Sequence, residues 1–171
     1  MHFKVVYVTV GTTKFDGLIR AMTSDAGLYA LQKRKCQKLV LQHGNSLPLE
    51  ESELKLINEK YGIEVEQYKF RPNIEDIKGA DLIIGHAGAG TCMDILNNQK
   101  PGIIVVNDEL MDNHQLELAG QLAAEEYLFY CQVSELARSL AILDFAFLKP
   151  YIVDKANMAK FVNALNGLMR Q

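Results

Sequence analysis

Residues 80–96 read ADLIIGHAGAGTCMDIL, and this stretch leaves few folds open. The apolar run Leu82-Ile83-Ile84 leads into Gly85, His86, Ala87, Gly88, Ala89 and Gly90, and Thr91, Cys92, Ile95 and Leu96 then fall at helical spacing. The pattern predicts a buried strand, a glycine loop and a helix. At such a junction backbone N–H groups and the positive end of a helix dipole point outward together, so the default ligand is a phosphate or another anion.

The rest of the chain repeats this alternation. Residues 3–10 are almost continuously apolar and β-branched, as in a strand covered on both faces, and end at Gly11-Thr12-Thr13. Thr13 and Asp16 have capping-box spacing ahead of Phe15, Leu18, Ile19 and Met22. A helical continuation is expected from Ser24 toward Lys38. Further strands are expected at 38–42, 63–70, 101–106 and 127–131, the second of them less buried because it alternates. Helices are expected over 50–61, closed by Gly62, over 113–123 and over 134–142, with a short helical turn at 74–78. A last helix, about 155–169, carries Met158, Phe161, Val162, Leu165, Leu168 and Met169 as one stripe, which suits either the core or the docking of a partner.

Strands alternating with helices predict an α/β, Rossmann-like fold, a mainly parallel sheet with helices on both faces. The 171 residues are expected to form a single domain, 1–171. Ligands of such sheets bind beyond the carboxyl ends of the strands. The loops at Gly11, His43, Gly85 and Asn107 all follow strands, so they gather on one rim.

Several chemistries are disfavoured. A net charge of −3 with scattered basic residues makes no case for nucleic acid. Cys36, Cys92 and Cys131 are far apart and form no CxxC, so neither a disulfide framework nor a zinc site is supported, and a reducing, cytoplasmic compartment fits. No apolar run reaches the roughly 18 residues of a membrane span. Gly88-x-Gly90 is two thirds of a dinucleotide fingerprint with Asp108 downstream, but Met93 holds the third glycine position. Neither a Walker A loop nor a GxSxG elbow occurs. What remains is an anion loop carrying a histidine, and a helix whose first turn clusters Asn113, His114 and Gln115. Together they suit a sugar nucleotide, whose diphosphate needs N–H donors and whose hydroxyls need polar side chains.

VTVGTTKFDGLI at 8–19, the stretch at 80–96, KPGIIVVNDELMDNHQLELA at 100–119 and LKPY at 148–151 resemble the catalytic subunits of the two-part UDP-N-acetylglucosamine transferase of the dolichol pathway, with a glycosyltransferase family 28 C-terminal domain. More distantly they look like the donor-binding half of the bacterial peptidoglycan N-acetylglucosaminyltransferase. The resemblance implies the donor-binding half of a GT-B glycosyltransferase. It would transfer N-acetylglucosamine from UDP-N-acetylglucosamine to N-acetylglucosaminyl-diphospho-dolichol with inversion, needing no metal and no cofactor. It also implies a membrane-anchored acceptor-binding partner that recruits the chain to the cytosolic face of the endoplasmic reticulum. An alternative is a non-catalytic sugar-nucleotide-binding or assembly subunit.

By the same resemblance His86, Ala87, Gly88, Ala89, Gly90 and Thr91 line the diphosphate, with Gly11, Thr12 and Thr13 on the same rim. Asp94 stands where relatives bind the ribose, Phe70 near the uracil, and Asn113, His114 and Gln115 toward the sugar. His86 and His114 are the catalytic-base candidates by residue type, although related two-domain enzymes are expected to take the base from the acceptor half. Two departures stand out: Gly85 where serine is usual before the histidine, and Thr91 where serine is common.

Overall fold

The computed structural model describes residues 1–106, 113–152, 159–160 and 162–163, with the backbone alone for 113–116. The apolar runs form β1 (Val5–Thr9), β2 (Lys38–Gln42), β3 (Glu64–Tyr68), β4 (Leu82–His86), β5 (Gly102–Val106) and β6 (Phe129–Gln132). They make one sheet in the order β3-β2-β1-β4-β5-β6, and every pairing is parallel. The expected Rossmann-like architecture is what the chain adopts.

Parallel neighbours need crossovers, and the helices supply them. α1 (Asp16–Thr23) and α2 (Asp25–Lys33) link β1 to β2, and α3 (Glu51–Tyr61) links β2 to β3. α4 (Ile74–Gly79), α5 (Ala89–Asn97) and α6 (Asn113–Ala124) make the remaining crossings, and α7 (Leu136–Ile142) follows β6. Strand periodicity sorts the core into two layers. Val6, Val8, Leu39, Leu41, Ile84 and Val105 pack with Leu18, Met22, Leu31 and Leu140 on one face. Tyr7, Val40, Ile83 and Ile104 pack with Ile77, Cys92, Ile95 and Leu122 on the other. Each fully buried aliphatic side chain contributes roughly 1.5–3 kcal/mol, so the sheet interior dominates stability.

Two local expectations are corrected. Thr13 and Asp16 do not cap α1, which begins after Phe15 without a side-chain cap. The Thr13 hydroxyl donates to the Val10 carbonyl at 2.7 Å, and Asp16 Oδ1 accepts from Leu47 N at 2.8 Å, so both side chains tie loops instead. The stretch after Ser24 is not a continuation either. Ser24 is extended and accepts from Gly27 N at 3.1 Å, which starts α2 as a separate helix. Gly27 permits the sharp join, because a Cβ there would collide with the Ala21 carbonyl. The proposed helix at 155–169 lies almost wholly outside the described residues.

Candidate functional site

Strand order reverses between β1 and β4. From β1 the chain turns to α1 on one face, and from β4 to α5 on the other, so the two loops part and leave a crevice at the carboxyl ends of the strands. Gly11, Thr12 and Thr13 form one lip. His86, Ala87 and Gly88 form the other.

His86 holds the lips together. A Cβ on Gly11 would lie 2.7 Å from His86 Cε1, and one on Gly88 would lie 2.5 Å from Nε2, so the imidazole packs against bare backbone on both sides. Gly11 has φ of +62°, the left-handed region that favours glycine. The Thr91 hydroxyl lies 3.4 Å from His86 Nδ1. Burial lowers the His86 pKa below its usual 6.5, against a smaller opposing effect of the Thr9 backbone, and the ring is neutral.

α5 opens at Gly88, which is extended, and no side chain caps it; its first turn carries no acidic residue. α2 is capped by Ser24 and α3 opens with a Glu50–Glu53 capping box, while α1 and α4, uncapped like α5, carry Asp16 and Glu75 with Asp76 in their first turns. Thr91 is buried within this turn, and Asp94 follows one turn later, its carboxyl pKa raised by burial. First-turn N–H groups left uncapped at a switch point are anion donors.

Loops from β2 and β3 complete the rim. Asn45 donates through its side chain to Thr12 O at 3.1 Å and through its backbone to Thr13 O at 3.1 Å. Phe70, just beyond β3, is 53% exposed. Below it, Asn73 Nδ2 donates to the Tyr7 hydroxyl at 3.3 Å, and the Tyr7 and Tyr68 hydroxyls are 2.9 Å apart. Tyr68 donates to Asp76 Oδ2 at 2.7 Å, and Arg71 clasps the same carboxylate at 2.8 and 3.2 Å while stacking 3.9 Å above the Tyr68 ring. A carboxylate only accepts, so Tyr7 must donate to Tyr68.

The structure thus brings together Gly11, Thr12, Thr13, His86, Ala87, Gly88, Ala89, Gly90 and Thr91, with Asp94 and Phe70 on the flanks. Asn113, His114 and Gln115 open α6 after β5, the neighbour of β4, but their side chains lie outside the described residues. Sequence reasoning missed Gln42, a buried polar residue at the end of β2. The polar close of an apolar strand, KLVLQ, marks the position without naming its partners. Among the described residues no three His, Cys, Asp or Glu side chains converge as a metal centre requires, and no helix is long and apolar enough to cross a membrane.

Residues 5–167 match the Glycosyltransferase family 28 C-terminal domain. The human UDP-N-acetylglucosamine transferase subunit ALG13 is 44% identical over 128 residues, which is 75% of this chain and 11% of the relative, so the chain matches only a small part of that protein's length. A solution NMR structure of ALG13 superposes with a TM-score of 0.68 at 25% identity, covering 94% of this chain and 95% of that one. MurG of Acinetobacter baumannii gives a TM-score of 0.60 at 17% identity over 98% of this chain and 50% of its own, a likeness of fold to half of a larger GT-B molecule. With almost its whole length matched, the chain belongs to the glycosyltransferase family 28 C-terminal domain family.

Proposed function

We propose that the chain is the donor-binding, catalytic half of a two-part transferase that moves N-acetylglucosamine from UDP-N-acetylglucosamine to N-acetylglucosaminyl-diphospho-dolichol, giving the chitobiosyl lipid. The observation that carries this reading is the uncapped first turn of α5 at the switch point. The relatives' name, UDP-N-acetylglucosamine transferase subunit, supports both the donor and the need for a second chain.

In this reading the amides of Gly88, Ala89, Gly90 and Thr91 receive the diphosphate, Asp94 the ribose and Phe70 the uracil. Asn113, His114 and Gln115 face the sugar, and Gly11, Thr12 and Thr13 form the opposite lip. The acceptor hydroxyl attacks the sugar C1 from the side opposite UDP, its proton passes to a base, and the bond from C1 to the phosphate oxygen breaks with inversion. Charge building on UDP is stabilised by the α5 amides and dipole, so the step needs neither metal nor cofactor. His86, wedged between Gly11 and Gly88, is assigned to holding the loops, which leaves His114 or a group of the acceptor half as the base. A membrane-anchored acceptor-binding subunit would carry the chain to the cytosolic face of the endoplasmic reticulum.

The test is co-purification with such a subunit, followed by a transfer assay with UDP-N-acetylglucosamine and the diphospho-dolichol acceptor. Product formed only by the complex supports the reading. Stable association without transfer overturns it in favour of a non-catalytic assembly subunit.

A further inference from the structure

Gln42 is 5% exposed, and its amide is bonded to two rim loops at once. Oε1 accepts from the Thr9 hydroxyl, from Val10 N at 3.1 Å and from Gly11 N at 2.9 Å. Nε2 donates to Gly11 O at 2.8 Å and to Lys69 O at 2.8 Å. A primary amide has two N–H donors, and both are used. Gly11 is the lip of the crevice, and Lys69 immediately precedes Phe70. The amide therefore spans from the loop after β1 to the loop after β3, across the end of β2.

We infer that Gln42 is a positioning residue that sets the spacing between the Gly11 lip and Phe70, and through that spacing the affinity of the rim for a uridine nucleotide. The inference rests on the donor-site reading above. A buried amide with both donors engaged has one arrangement that satisfies it, and moving the Lys69 carbonyl away would leave a buried N–H without a partner. The opposite side of the Phe70 loop is held by the Arg71, Tyr68 and Asp76 cluster, so the loop is secured from both ends.

Gln42→Glu isolates the claim, because it keeps the shape and the acceptor oxygen but turns both donations into oxygen facing oxygen. Titration of the full chain with UDP should show affinity falling about tenfold, the scale of one lost hydrogen bond. Gln67→Glu is the control. Gln67 makes a similar pair of bonds to Leu49 N and O, each 2.9 Å, away from Gly11 and Phe70, so it should lower thermal stability without changing UDP affinity. A folded Gln42→Glu variant with unaltered UDP affinity overturns the inference. If that variant does not fold, Thr9→Val removes the hydroxyl that donates to Oε1 and accepts from Gly11 N at 3.2 Å, loosening the same network at the Gly11 lip. A loss of about twofold to threefold then supports the coupling and an unchanged affinity overturns it. A wild-type chain that binds no UDP overturns the donor-site reading and this inference together, whereas wild-type binding with an indifferent Gln42→Glu removes the inference alone.

Discussion

The γ-methyl of Thr91 occupies the space into which a Cβ on Gly85 would project. The bare Cα of Gly85 and the methyl of Thr91 therefore share one packing space between β4 and α5. Gly85→Ser alone should cost about 1–3 kcal/mol through overpacking between β4 and α5. Thr91→Ser alone should cost about 1 kcal/mol for the lost methyl. The double variant should cost less than the sum, with about 1 kcal/mol of coupling measured by urea unfolding. Additive losses would show that the methyl and the missing Cβ do not share one space.

His86 gives a second paired test, because it lies against two glycines with different backbones. Gly88 has an ordinary φ of −79°, so Gly88→Ala is opposed only by the imidazole. Gly11 has φ of +62° and meets the same ring. In a His86→Ala background, Gly88→Ala should become nearly neutral, whereas Gly11→Ala should still cost about 1–2 kcal/mol for its left-handed backbone. Equal relief at both glycines, read from chemical denaturation, would contradict the geometry.

The burial that keeps His86 neutral also gives stability a pH dependence. Its folded pKa lies below the unfolded value near 6.5, so as pH falls through 6.5 the unfolded chain takes up the proton first. Stability should therefore drop below about pH 6.5 and level off once pH passes the lower, folded value. His86→Gln removes this contribution. Thermal melts between about pH 7.5 and pH 5.5 should show a shallower decline for His86→Gln than for wild type, and parallel declines would count against a buried neutral imidazole.

How far the sequence foretold this structure depended on whether the signal was local. β2 spans Lys38–Gln42 as expected, because strands buried on both faces appear as unbroken apolar runs, whereas β4 spans Leu82–His86 and so takes Gly85 and His86, expected in the glycine loop, into the sheet through pairing with β5. β3 is an edge strand, and its ends at 63 and 69–70 fell away from the expected 63–70 where pairing with β2 stops. The glycine lips were readable because close backbone approach demands glycine. Gln42 was not, since its bonds reach Gly11 and Lys69, 31 and 27 residues away, and nothing in KLVLQ names those partners. Thr13 misled for the same reason: its spacing to Asp16 fits a cap, but the nearer Val10 carbonyl takes the hydroxyl.

The chain of hydroxyls beneath Phe70 supplies the last prediction. Asn73 donates to Tyr7, Tyr7 to Tyr68 and Tyr68 to Asp76, whose carboxylate Arg71 also clasps. Burial, then the bonds to Tyr7 and Asp76, raise the Tyr68 phenol pKa, so it stays a protonated donor. For Asp76, burial alone would raise the pKa, but the Arg71 and Tyr68 bonds outweigh it and the result lies below 3.8. That contribution is present above the unfolded value and is lost as pH falls through the lower folded one. Tyr68→Phe leaves the buried Tyr7 hydroxyl without its acceptor and Asp76 with Arg71 but without the phenol donor, at about 1–2 kcal/mol. Arg71→Lys keeps the charge but loses the planar fork and the stacking on Tyr68, so it should cost less than about 1 kcal/mol at this half-exposed position. If the cluster holds Phe70 in place, both variants weaken UDP binding, and Asp76→Asn flattens the acid limb of the stability curve below about pH 4. Variants that lose stability while binding UDP as tightly as wild type would reduce the cluster to a plain fold support.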